Sequence, residues 1–118
     1  MPETAATSPI LTTETKHFPH DVVLVLCHGR LVAGVEDVLY TTVRQLIQTN
    51  KRIILDLSDL QHTDSMGLGT LVRLYVASKS AGSSLELMHL SKQIRHLLGL
   101  TNLFDVFTVI GEKGVKFM

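Results

Sequence analysis

With 118 residues the chain has room for one domain, and with 45% of them hydrophobic it has material for one core. Eleven Lys and Arg residues balance eleven Asp and Glu residues, which excludes the broad basic excess of a nucleic-acid footprint, so no direct nucleic-acid partner is expected. The single cysteine, Cys27, excludes an intrachain disulfide, and no apolar run reaches the roughly 18 residues that span a bilayer; no membrane insertion and a cytoplasmic location are expected.

Residues 1–9 read as a flexible extension without the basic start and apolar core of a signal peptide, ahead of a single domain over 10–118. A weak strand is predicted from Ile10 to His17. Phe18-Pro19-His20-Asp21 is a turn, because Pro19 fixes its own φ and restricts Phe18. Val22 to Cys27 is a continuous apolar run, as in a strand buried on both faces, and Cys27 within it reads as a small buried thiol. Gly29 to Gly34 reads as a loop. Val35, Val38, Leu39, Thr42, Val43, Leu46 and Ile47 then follow helical spacing, with Glu36 and Asp37 where the helix dipole favours acids and Asn50 as a stop.

Ile53 to Leu57 predicts a second buried strand, followed by a loop from Ser58 to Asp64. A helix is expected from Met66 to Ala81, closed by Gly82, with Leu68, Leu71, Val72 and Tyr75 as its apolar stripe. Leu85 to Leu90 reads as a third strand with one face partly exposed. Ser91 caps a short helix carrying Ile94, Leu97 and Leu98 and stopped by Gly99. Leu103-Phe104 is a small apolar plug, and Val106 to Ile110 a last strand. This alternation implies βαβ crossovers: an α/β fold with a small mixed, largely parallel sheet and helices mainly on one face.

Chemistry concentrates in Asp64-Ser65-Met66-Gly67-Leu68-Gly69, which opens the second helix. Ser65 stands where an N-cap belongs, and the glycines would let another surface approach the backbone closely. A helix N-terminus stabilises an anion by roughly 0.3–1 kcal/mol, so the helix would tolerate a phosphate on Ser65. On local chemistry alone, Ser65 as a plain cap beside packing glycines is the favoured reading, because capped helices are common. A nucleotide loop does not fit, because the G-x-x-x-x-G-K pattern is absent, and G-x-G is too short for a dinucleotide fingerprint.

The six histidines show no convergent metal-ligand spacing, and Pro19 breaks any helix that would align His17 with His20. Ser65, Asp64 and nearby His62 imply no oxyanion hole, so neither enzyme activity nor a cofactor is expected. Asp56 and Asp59 read as turn and surface carboxylates, and Arg44, Lys51 and Arg52 as a solvated cluster.

The span from Asp21 to Ile110 resembles the STAS domain of bacterial anti-sigma-factor antagonists. The likeness is carried by Gly29-Arg30-Leu31, by Ile54-Leu55-Asp56-Leu57-Ser58, and by Asp64-Ser65-Met66-Gly67-Leu68-Gly69. Ile94-Arg95-His96-Leu97-Leu98 and Leu103-Phe104 add to it. The resemblance implies a STAS-type fold and a non-enzymatic switch. Ser65 would be phosphorylated by an anti-sigma factor that is also a serine kinase, bound only when Ser65 is unmodified, and a serine phosphatase would reset the state. It also implies partner contact through Asp64, Ser65, Met66, Gly67, Leu68 and Gly69, and through Arg30, Leu31 and Val32 of the preceding loop. Two positions depart from the family pattern. Val32 stands where an aspartate is frequent, and Met66 replaces a Ser or Thr, leaving Ser65 the only hydroxyl in the motif. A STAS scaffold or regulatory subunit, in a stress-sensing assembly or on a membrane transporter, is the alternative.

Overall fold

A computed structural model describes residues 10–103 and 106–110. The elements run β1 (Leu11–Phe18), β2 (Val22–Leu31), α1 (Glu36–Ile47), β3 (Arg52–Thr63), α2 (Ser65–Ser80), β4 (Ser84–Met88), α3 (Lys92–Leu100) and β5 (Thr108–Ile110). They form one sheet in the order β1-β2-β3-β4-β5. The β1–β2 hairpin is antiparallel and the other pairings are parallel. The expected α/β class, the element order and the mixed, largely parallel sheet are all observed. The extension placed at residues 1–9 and the Phe104 half of the apolar plug lie outside the described residues.

Topology explains why the helices share a face. Each crossover steps to the next strand in the same direction, and right-handed connections then put every helix on one side. The main core is the result. Val23, Val25, Cys27, Ile53, Leu55, Leu57, Leu85 and Leu87 of the sheet meet Leu39, Val43 and Ile47 of α1, Leu68, Leu71 and Leu74 of α2, and Ile94 and Leu98 of α3. A smaller cluster, Val22, Leu24 and Ile54 with Phe18, Leu26 and Met88 beside it, lies on the other face. Both faces of β2 and β3 are therefore apolar, as the unbroken runs required.

The first loop closes through His20 and Asp21, both at positive φ (67° and 59°), which these residue types tolerate better than most. Cys27 is buried, and burial, with the nearby Asp56 charge, pushes its thiol up to about 12.

Several expectations are corrected. Gly29 to Leu31 is strand, not loop, and Ser58 to Thr63 continues β3; the two stretches pair as His28↔Asp59, Gly29↔Leu60, Arg30↔His62 and Leu31↔Thr63, past register shifts. Backbone pairing carries these segments, so their polar side chains, the buried Thr63 excepted, can face solvent without ending the ladder. Gly29 is required there: its φ is +103°, and a β-carbon would overlap the Ile10 carbonyl, which accepts the Arg30 N–H at 2.9 Å. β4 stops at Met88, before the left-handed His89. β5 begins at Thr108 rather than Val106, and α3 runs through Gly99 to Leu100 before capping at Thr101. Ser91 caps α3 as expected, accepting the Ile94 N–H at 3.3 Å.

Two charged residues also differ from expectation. Asp56 is buried in β3, where its carboxylate accepts the Ser58 N–H at 2.9 Å and meets His89 at 3.2 Å. Arg52 is half-buried, not solvated: Nε and an Nη donate to the Glu86 carboxylate at 2.8 and 2.7 Å, and Ser84 Oγ donates to it at 2.7 Å. Buried carboxylates persist only with such partners.

Candidate functional site

The site is built where β2 and β3 end and α2 begins. Thr63, the last residue of β3, is buried and donates its hydroxyl to the Leu31 carbonyl at 2.7 Å, pinning the two strand ends together. Asp64 follows in extended backbone and is the N-cap of α2. One of its carboxylate oxygens accepts the Gly67 N–H at 2.9 Å, and the other accepts the Ala33 N–H at 3.0 Å. A single side chain thus ties the first turn of α2 to the loop after β2. The Ala33 and Gly67 N–H groups hold its carboxyl below the usual carboxylate range.

This corrects the expectation that Ser65 is the cap. Ser65 is the first helical residue and is exposed, with no part in the cap. Its hydroxyl sits at the positive end of a helix spanning Ser65–Ser80, beside a carboxylate held ionised. Met66 follows, 54% exposed, an apolar side chain left in solvent next to the hydroxyl.

The glycines divide. Gly67 is buried, and a β-carbon there would overlap the Leu31 carbonyl and the Thr63 hydroxyl, so it serves close packing of α2 on the strand ends rather than access for a partner. Gly69 is half-exposed, and a β-carbon there would meet nothing within 4 Å. Leu31 and Leu68 also point inward, at 0% and 7% exposure. Arg30 is exposed and Val32 half-exposed. The structure therefore brings Arg30 to Val32 and Asp64 to Gly69 into one region, with Arg30, Ser65 and Met66 presenting exposed side chains. In α2, Leu68 and Leu71 are buried as expected, Leu74 joins them, and Val72 and Tyr75 flank the stripe half-buried.

Sequence reasoning missed the bridging role of Asp64 and its partner Ala33. The available signal was an aspartate three residues before an N–H donor at a helix start. It also missed the contact between the Gln93 amide of α3 and His62 of β3, which joins a third element to the strand that delivers Asp64. Among the described residues no group of His, Cys, Asp or Glu could hold a metal ion, and no helix is long and apolar enough to cross a membrane.

Residues 13–113 match the family model of the STAS domain. Among solved structures, the fold is similar to an anti-sigma factor antagonist from Mycobacterium paratuberculosis (TM-score 0.76, 18% identity, 87% of each chain covered). It is similar to the anti-sigma factor antagonist SpoIIAA in its unphosphorylated form (0.71, 15%, 86% of this chain and 90% of that one), and to Bacillus SpoIIAA in the phosphorylated form (0.67, 15%, 86% and 94%). A sulfate transporter family protein from Wolinella succinogenes matches as well (0.69, 22%, 80% of each chain). At these identities the solved structures speak for the fold.

Proposed function

The chain belongs to the STAS domain family, and from that premise we propose that it is an anti-sigma-factor antagonist, a non-enzymatic protein whose binding is gated at Ser65. The observation that carries the reading is the division of roles at the start of α2. Asp64 does the capping, and Ser65 is left exposed at a helix N-terminus with its hydroxyl uncommitted to the cap. In this reading the unmodified protein binds an anti-sigma factor that is also a serine kinase, through Arg30, Val32, Ser65, Met66 and Gly69, and a sigma factor is released. Asp64, Gly67, Leu68 and Leu31 shape that surface from beneath. A serine phosphatase restores the binding form.

The gating is electrostatic. Phosphorylation adds roughly −1.5 to −2 charges at neutral pH. The added charge lies beside the ionised Asp64, and the pair forms a negative spot on a surface that otherwise offers Arg30, Val32, Met66 and Gly69. One close like-charge contact with a partner costs on the order of 4 kcal/mol at an effective dielectric near 20, about a thousandfold in affinity. No refolding is required, because the cap does not involve the modified hydroxyl.

Intact-mass measurement and peptide mapping after incubation with the cognate anti-sigma kinase and ATP test the reading. One phosphate at Ser65 is expected, and none in Ser65→Ala; stoichiometric phosphate surviving in Ser65→Ala overturns it. The likeness to a sulfate transporter family protein supports a second reading, a STAS regulatory subunit of a transporter or a sensing assembly. Partner binding indifferent to the state of Ser65 would favour it.

A further inference from the structure

β1 is an end strand of the sheet, so among the described residues only its β2 side is paired. Such an edge is a template for another strand, and proteins commonly blunt it with a proline, a bulge or a very short strand. β1 has none of these. It runs eight residues, Leu11–Phe18, without proline and without a register shift against β2, and Thr12, Glu14, Thr15, Lys16 and His17 are exposed. Thr15 and His17 share the helix side of the sheet with their partners Val25 and Val23 and are exposed all the same, so the helix layer stops short of this edge.

The Arg30 N–H bonds the Ile10 carbonyl at 2.9 Å, in line with the register that runs from Leu11↔Gly29 to Phe18↔Val22. Bonded pairs alternate along an antiparallel ladder, so the even-numbered residues bond β2, and Thr13, Thr15 and His17 turn their backbone groups outward. A second β1 running antiparallel must set these outward positions against each other. A twofold axis at Glu14 opposes two glutamates, and one at Lys16 opposes two lysines. An axis at Thr15 opposes Thr15 to Thr15, Thr13 to His17, and Glu14 to Lys16 twice over. Like charges directly opposite destabilise a strand pair and unlike charges stabilise it, so the charges select the axis at Thr15. Unlike charges then neighbour each other along and across the strands, and like charges meet only on the diagonal. Glu14 already accepts from His28 through Oε1, but its side chain is 63% exposed, which leaves Oε2 for a lysine. Lys16 is in no ion pair among the described residues. We propose that the outer edge of β1 is a self-association surface whose occupant is β1 of a second copy of this chain, paired antiparallel about Thr15. The contact is isologous and closes on itself, giving a dimer with one continuous sheet and two Ser65 turns.

Analytical ultracentrifugation of the full chain tests this, with amide exchange followed by NMR at low and high protein concentration. A ladder this short is a small interface, so dimer should appear over about 10 µM to 1 mM. The Thr13, Thr15 and His17 N–H groups should exchange more slowly as dimer forms, while those of Glu14 and Lys16, bonded to β2, should not change. Lys16→Glu turns two attractions into two repulsions and should weaken the dimer roughly tenfold or more. Glu14→Lys should do the same, and a one-to-one mixture of the two variants should regain dimer, because lysines on one strand then face glutamates on the other. Thr15→Pro removes an N–H that faces outward, so it should keep the β1–β2 ladder and a cooperative melt yet abolish the dimer. Ser65→Asp should leave association unchanged, so this surface and the Ser65 switch stand or fall separately. A chain that stays monomeric to about 1 mM overturns the proposal. So does a dimer indifferent to both Lys16→Glu and Thr15→Pro, or one that leaves the exchange of the three outward amides unaltered.

Discussion

A carboxylate that accepts backbone N–H groups from two separate segments does more for a fold than a hydroxyl at the surface, and Asp64 and Ser65 show the difference side by side. Asp64→Ala releases the Ala33 and Gly67 N–H groups together; Ser65→Ala releases neither. Ser65→Ala should therefore stay within about 0.5 kcal/mol of wild type, as surface changes do, and Asp64→Ala should lower the urea midpoint clearly further. The Asp64 carboxyl is held below its ordinary value of 3.8. Its contribution is thus complete above that value and lost as pH falls through the depressed one. The glycines give a sharper contrast. Gly67→Ala forces a β-carbon onto the Leu31 carbonyl, backbone that cannot step aside, and should cost about 1–3 kcal/mol. Gly69→Ala meets open space and should be neutral or stabilise by roughly 0.5–1 kcal/mol. Urea melts of the two check this; equal losses would contradict the packing described for Gly67. The motif itself was legible in the sequence, but the cap was not. Asp and Ser are equally good N-caps, they stand in adjacent positions here, and nothing local fixes the helix start to within one residue.

At the scale of elements, the apolar runs announced the strand cores at Val22–Cys27 and Ile53–Leu57, and polar residues concealed how far each strand continued. His28 shows what the continuation holds. It lies in β2, with Glu14 of β1 at 2.8 Å from one ring nitrogen and Asp59 of β3 at 2.7 Å from the other. Two carboxylates on two nitrogens call for the doubly protonated ring, and the hydrogen bonds to Asp59 and then Glu14 raise the His28 pKa above its ordinary 6.5. The sign follows from that direction. The bracket's contribution is full below 6.5 and disappears as pH rises through the raised folded value. Wild type should then exceed His28→Gln in urea midpoint at about pH 5.5, and the gap should narrow toward about pH 8.5. A gap that widens with pH would mean that the ring is neutral in the folded protein. None of this was visible beforehand, because Glu14, His28 and Asp59 meet only through the pairing of three strands, and a reading that ended β3 at Leu57 had left Asp59 in a loop.

For the molecule as a whole, the fold followed from the alternation of strands and helices, since right-handed crossovers moving in one direction leave one arrangement: helices on one side and α2 opening at the end of β3. Sequence could place the Ser65 turn at that end. It could not say which side chains of the turn face out, a matter of helix rotation by less than one residue. That rotation underlies the behaviour expected of the switch. Ser65→Asp adds a carboxylate at a helix N-terminus, which the dipole favours, and leaves the Asp64 cap in place. Its melting temperature should match wild type to within a few degrees, as expected for a change below about 1 kcal/mol. Its binding should not match. A partner closing over Met66 and Gly69 must desolvate an added charge that stands next to an Asp64 carboxylate already ionised. Affinity for the anti-sigma partner should fall roughly tenfold or more, and less than on true phosphorylation, because aspartate carries the smaller charge. Ser65→Ala should bind like wild type and resist release by ATP. Calorimetry of the three forms against one partner decides it. Wild-type affinity in both Ser65→Asp and the phosphorylated protein would show that charge at this hydroxyl does not control the interface, and the regulatory-subunit reading would take its place.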